Sequence, residues 1–194
     1  MSGPFGSSQW MYNASAGFYD TEIDNSLRFN DNDSANLSRT FGTPTNAKKN
    51  TVSFWYKRGN IGVDSRIFTD TGTGIYIGSS NTIGMTRAGV GNFLTSGLLR
   101  DVSSWYHVVL KVDTTLATAS DRIKIYINGV LQSASGQTLF SQNEDTYYAT
   151  SGTKYIGGYS PYFTDGYLSD IYFIDGTALD PTSFGETKSG IWIP

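Results

Sequence analysis

The 194-residue chain predicts an all-β fold, a two-sheet antiparallel sandwich, on three observations. Ser103–Asp113 and Asp121–Leu131 read as two strands of alternating polarity joined by a polar loop, and the second contains Asn128-Gly129, a hairpin turn signal. Short β-prone runs recur through the chain, separated by Gly, Asn, Asp and Ser. No amphipathic pattern extends past two helical turns.

Each element follows from its own residues. In the second of these strands Ile123, Ile125 and Ile127 point one way, and Arg122, Lys124, Tyr126 and Asn128 the other. Burying each isoleucine is worth roughly 1.5–3 kcal/mol, so a one-residue slip is strongly opposed and the register is set. Thr51–Arg58 is bulky on both faces, which predicts a central strand covered on each side. Arg66–Thr69 and Gly74–Ile77 flank the turn Asp70–Gly74, and Thr82–Arg87 leads into a glycine-rich loop, Ala88–Asn92. Lys154–Gly157 precedes a closing strand, Gly166–Ile174. One short helix is expected at Pro181–Phe184, with Asp180 as N-cap and proline in its first turn. The division expected is an N-terminal extended arm (1–25), a sandwich domain (26–185) and an apolar C-terminal tail (186–194).

Composition narrows the function. Twenty-two glycines and 13 tyrosines suit turns and half-buried pleated surfaces. There is no cysteine, which removes disulfides and fits assembly in a reducing bacterial cytoplasm. A net charge of −3, without a basic run, argues against nucleic acid as a partner. No apolar run approaches the ~20 residues of a spanning helix, so no membrane partner is expected.

Three segments carry a family resemblance. Ser103–Asp113 with Asp121–Leu131 resembles the central hairpin of laminin-G-like, concanavalin-A-like lectin/glucanase domains, in which a tryptophan-led strand precedes one ending in Tyr-x-Asn-Gly. Gly166–Ile174 followed by Ala178-Leu179-Asp180-Pro181 is similar to the family's closing strand and the turn after it. Ser26–Phe29 through Leu37–Arg39 resembles its opening hairpin. The wording of Leu27–Ser34 and Asp180–Gly185 is similar to the version in virion proteins of marine tailed phages. The resemblance implies a concanavalin-A-like jelly roll and a non-enzymatic structural or accessory protein of a fibre, tail or capsid surface. Its partners would be other virion subunits, in a homo-oligomer (a trimer by analogy with fibres), and host-surface polysaccharide. The alternative is a free-standing carbohydrate-binding module, and the least favoured reading is a hydrolase.

The residues weigh against that last reading. The glucanase version of the fold carries Glu-x-Asp-x-x-Glu or Glu-x-Asp-x-Glu on one strand, whereas Glu22, Glu144 and Glu186 are the only glutamates here and have no such partners. Asp31-Asn32-Asp33-Ser34 alternates oxygen groups, but Asn36 and Gly42 occupy the places where an EF-hand needs Gly and Glu, so a polar turn is expected. In calcium-binding relatives the ion sits at the sandwich rim, which makes Asp70, Asp113 and Asp165 the carboxylates to watch; no cofactor is assigned. His107, the only histidine, reads as a packed or solvent-facing strand residue. For glycan binding the candidates are Tyr159, Tyr162, Phe163 and Asp165 on one loop, because aromatic faces stack on sugar rings, and Asn92 on the glycine-rich loop. For subunit contacts they are Phe5, Trp10 and Tyr12 in the arm, Tyr172 on the closing strand, and Ile191 and Trp192 in the tail. A covering loop or the returning tail is the plainer account of Tyr172 and Ile174.

Overall fold

The computed structural model describes residues 23, 25–136, 139–146 and 149–194. The arm contacts expected of Phe5, Trp10 and Tyr12 lie outside the described residues.

Two antiparallel sheets form the body of the molecule. The first has the order β1 (Leu27–Phe29), β15 (Gly166–Asp175), β3 (Lys49–Arg58), β8 (Tyr106–Asp113), β9 (Ile123–Ile127), β10 (Val130–Leu131). The second has the order β11 (Ala134–Ser135), β7 (Gly91–Leu98), β6 (Thr82–Arg87), β5 (Thr73–Ile77), β4 (Ser65–Thr69), β12 (Gly152–Ile156), β2 (Leu37–Phe41). Two small hairpins are attached, β13–β14 (Gly158–Tyr159 with Tyr162–Phe163) and β16–β17 (Glu186–Lys188 with Ile191–Ile193). Among the described residues no helix is long and apolar enough to cross a membrane.

Alternation determines which side chains meet between the sheets. From the first sheet come Val52, Phe54 and Tyr56 of β3, Val108, Leu110 and Val112 of β8, and Ile123 and Ile125 of β9. From the second come Ile67, Phe68, Ile75, Ile77, Ile83, Met85 and Phe93. β8 and β9 pair in the register that places Val108 opposite Ile127 and Val112 opposite Ile123. The following turn has Asn128 at φ 49° and Gly129 at φ 75°, the two left-handed residues a tight hairpin requires. β3 is covered on both faces as predicted: Trp55 and His107 of its partner strand lie buried on the side away from the core. In β15 a register shift between Ser169 and Tyr172, with Asp170 at φ 47°, moves the inward side from Leu168 to Ile171 and Phe173.

Three expectations need correction. β1 and β2 are not a hairpin: β1 pairs with β15 in one sheet and β2 with β12 in the other. The Asp31–Asp33 turn, with Asn30 accepting from the Asn32 amide and Ser34 left-handed, carries the chain across between them. Asp180 holds the N-cap position of the short helix Pro181–Ser183 as expected, but its side chain makes no capping bond. Its carboxylate accepts instead from Lys111 Nζ at 2.7 Å, and backbone bonds from Ser183 and Phe184 close the turn. Finally, Gly91 and Asn92 belong to β7 and pair with Arg87 and Thr86, so the loop is shorter than expected.

The tail folds back on its own chain. The Trp192 indole lies on His107, with ring centroids 5.7 Å apart, and its Nε1–H donates to His107 Nδ1 at 2.8 Å. Phe184 packs near Tyr172 at 5.9 Å, so the returning segment covers part of this face. Gly129 permits the fit, since a Cβ there would lie 2.4 Å from the Trp192 ring.

Candidate functional site

The outer face of the second sheet holds a polar cleft of about 320 Å³, lined by Asp64, Arg66, Tyr76, Thr86, Asn92 and Tyr162 among others. Register assembles it. Ile75 and Ile77 point into the core, so Tyr76 between them points out, and β4 places Arg66 directly opposite Tyr76. On the next strands Tyr76 faces Gly84, Gly84 faces Leu94, and Thr86 faces Asn92. Gly84 leaves the floor open: a Cβ there would come within 3.0 Å of Leu94 Cδ2.

The third wall comes from far along the chain. Hairpin β13–β14 folds over β4, anchored by Thr164, whose Oγ1 donates to Arg66 O at 2.6 Å and whose amide donates to Gly157 O at 2.8 Å. The Tyr162 ring thereby reaches the Arg66 guanidinium, 5.3 Å from the ring centroid, and Tyr76 approaches the same group at 5.6 Å. Burial raises the Tyr76 phenol pKa above its ordinary value, opposed by the neighbouring Arg66 charge. At the rim Asp64 Oδ1 accepts from the Ser79 amide at 2.6 Å. Ser80 and Thr82 hydroxyls lie 3.0 Å apart on the same wall. Among the described residues Asp64 is the one carboxylate lining this cleft, without the flanking second acid that hydrolysis of a glycosidic bond uses.

The candidate residues separate. Tyr162 of β14 and Asn92 of β7, far apart in sequence, line the same cleft. Tyr159 packs tilted against Tyr155 at 5.0 Å, and Phe163 packs half-buried against Gly158. Asp165 faces elsewhere: its carboxylate pairs with Arg28, and its carbonyl accepts from the Gly59 amide and the Tyr56 hydroxyl. Burial pushes the Tyr56 phenol up to about 12, so it remains a donor there. Tyr172 and Ile191 are exposed, at 48% and 38%, beside the docked tail. Arg66 and Tyr76, which complete the cleft, were not among the expected residues.

The rim carboxylates do not gather. Asp70 closes its own turn by accepting from the Gly72 and Thr73 amides, and Asp113 accepts from Thr115 and pairs with Lys49. Among the described residues no three His, Cys, Asp or Glu side chains are placed to hold a metal ion. A larger, more apolar opening of about 810 Å³ lies between the sheet edges, walled by Phe41, Phe68 and Phe173. Phe68 stacks on Phe173 at 5.6 Å, Phe41 packs tilted against both at 6.4 and 5.0 Å, and the three rings continue the core.

The architecture is that of a lectin-type sandwich with a polar cleft on one sheet face. The chain belongs to the concanavalin A-like lectin/glucanases superfamily, whose model matches residues 24–182. No curated protein matches it. Among solved structures it is similar to a heptameric SAP-like pentraxin from Limulus polyphemus, with 19% identity and TM-score 0.53 over 75% of this chain and 72% of that one. It is also similar to the CBM40 of a Ruminococcus gnavus sialidase bound to α2,3-sialyllactose, with 13% identity and TM-score 0.51 over 81% of this chain and 95% of that one. A Trypanosoma rangeli sialidase is 16% identical with TM-score 0.52, but the match spans 70% of this chain and 22% of the enzyme. At these identities the likeness is one of fold.

Proposed function

We propose that this chain is a non-enzymatic recognition protein of a tailed-phage virion, which joins other virion subunits and offers the Arg66–Tyr76–Tyr162 cleft to glycans of the host surface. The observation that carries the glycan reading is the cleft itself, where a 41%-exposed tyrosine from a separate hairpin overhangs a floor of Ser, Thr and Asn side chains. An aromatic face with hydroxyl and amide groups around it suits a sugar ring. The virion setting is supported by the phage-like wording of Leu27–Ser34 and Asp180–Gly185 and by the absence of cysteine. The sharing of this fold with a sialyllactose-bound module supports the second reading, a free-standing carbohydrate-binding module.

The test is a glycan array probed with the purified chain and with Tyr162→Ala. Specific signals that fall about tenfold or more in the variant are expected, in line with the loss of one aromatic stacking contact. Signals unchanged by Tyr162→Ala would place binding elsewhere. Antibody labelling of intact particles separates a virion component from a free module. Exposed Tyr172 and Ile191 extend the proposal to a homo-oligomer. Native mass measurement is expected to give a multiple of 21.2 kDa, reduced to the single-chain mass by Tyr172→Glu combined with Ile191→Glu.

A further inference from the structure

Arg66 specifies more about the ligand than the cleft's shape does. Two tyrosine rings approach its guanidinium, at 5.3 and 5.6 Å, and the residue is half-buried. Yet among the described residues no acceptor meets any of its side-chain N–H groups, and it forms no ion pair. Other arginines in the same molecule are engaged: Arg28 with Asp165, Arg87 with Glu144, and Arg58 and Arg122 with backbone carbonyls. Asp64, two residues before Arg66, shares the cleft but is engaged with the Ser79 amide and makes no ion pair with Arg66. The cleft therefore contains a positioned planar cation with its donors unspent.

We infer that Arg66 is the anion-binding end of the cleft and that the ligand is an acidic saccharide. This rests on the glycan reading above. With aromatic rings against it, a guanidinium offers its in-plane N–H bonds, and their fork matches the two oxygens of a carboxylate or of a sulfate. Thr82, Thr86 and Asn92 supply neutral donors and acceptors for the ring hydroxyls of the same sugar. Asp64 limits the charge density the cleft accepts: one cation beside one anion suits a sugar bearing a single acidic group and disfavours a dense polyphosphate. Ser79 and Ser80 lie on that Asp64 side of the lining, where hydroxyls of a neighbouring sugar unit would fall.

The experiment is calorimetric titration of the full chain with three polymers: polygalacturonate (carboxylate), a carrageenan (sulfate) and a neutral galactan. The expected result is tighter binding to at least one acidic polymer than to the galactan. That binding should weaken with added salt and fall by about tenfold or more in Arg66→Ala, the loss of one bidentate charged contact. Arg66→Lys keeps the charge and stem but not the fork. It should retain part of the affinity, and it provides a second test if the alanine variant melts early. Preference for polygalacturonate identifies a carboxylate, and preference for carrageenan a sulfate. Galactan bound as well as the acidic polymers, with Arg66→Ala unchanged, overturns the charge assignment and leaves the glycan reading standing. Binding to none of the three overturns both.

Discussion

Arg58→Ala is expected to destabilise the chain by about 3–5 kcal/mol, the range for emptying a large buried site and orphaning its hydrogen-bond partners. Arg58 is only 2% exposed. Its Nε donates to Asn60 O at 2.9 Å, and its Nη1 to Asn81 Oδ1 at 2.9 Å and Leu99 O at 2.6 Å. Burial lowers its pKa, yet it forms no ion pair among the described residues, and carbonyl oxygens take the place of water around it. The consequence extends to the cleft. Asn81 also accepts from the Gly62 amide and sits at φ 68° in the turn whose Gly78, Ser79 and Ser80 line the cleft wall. Arg58→Lys should lie between wild type and Arg58→Ala, since an ammonium loses the fork geometry. Denaturant titration measures this as a fall in midpoint at unchanged slope. A loss under 1 kcal/mol for Arg58→Ala would contradict the role given to these bonds.

Acid should undock the C-terminal hairpin. An indole N–H only donates, so His107 Nδ1 accepts from Trp192 and carries no proton, which places the ring's hydrogen on Nε2, 2.9 Å from Ser53 Oγ. Desolvation lowers the His107 pKa to about 4 from its ordinary 6.5. A proton on Nδ1 would face the Trp192 N–H and break the bond. Because the docked pKa lies below the free one, the undocked or unfolded form binds the extra proton between those values. The docked state's stability is therefore complete above about pH 6.5, is lost as pH falls toward 4, and changes no further below that. Measured against the unfolded chain, the difference corresponds to about 3 kcal/mol at full effect. Following the Trp192 indole N–H resonance through an acid titration should show it leave its hydrogen-bonded position in that window. In His107→Phe, which retains a stacked ring, that pH dependence should vanish. A resonance indifferent to pH from 7 to 4 would sink the account.

The sandwich was largely legible because period-two alternation is a local signal. Ile123, Ile125 and the Asn128-Gly129 turn needed nothing from the rest of the chain. Thr51–Arg58 announced a doubly covered strand through its bulk on both faces. What alternation cannot say is which sheet a strand enters, and so β1 and β2 read as partners although a short turn carries them into opposite layers. The cleft was legible only in part. Tyr162 and Asn92 stood out as an aromatic and an amide in loop-like wording. Arg66 and Tyr76 read only as members of two short strands, because only the antiparallel register and the folded-over hairpin bring them beneath Tyr162. Asp165 was grouped with its sequence neighbours, but the start of β15 turns its carboxylate toward Arg28. Asp180 matched a capping pattern, yet an ammonium within reach is a stronger attraction than one helix-end amide.

The β13–β14 hairpin pairs only with itself and is hydrogen-bonded into neither large sheet as a strand. Its seat is held through Thr164, while Tyr162 at its tip is exposed. Selection can therefore rewrite this fingertip without disturbing the layers beneath it. Under the glycan reading proposed above, exchanges around Tyr162 would alter one wall of the cleft and leave the two layers beneath it in place.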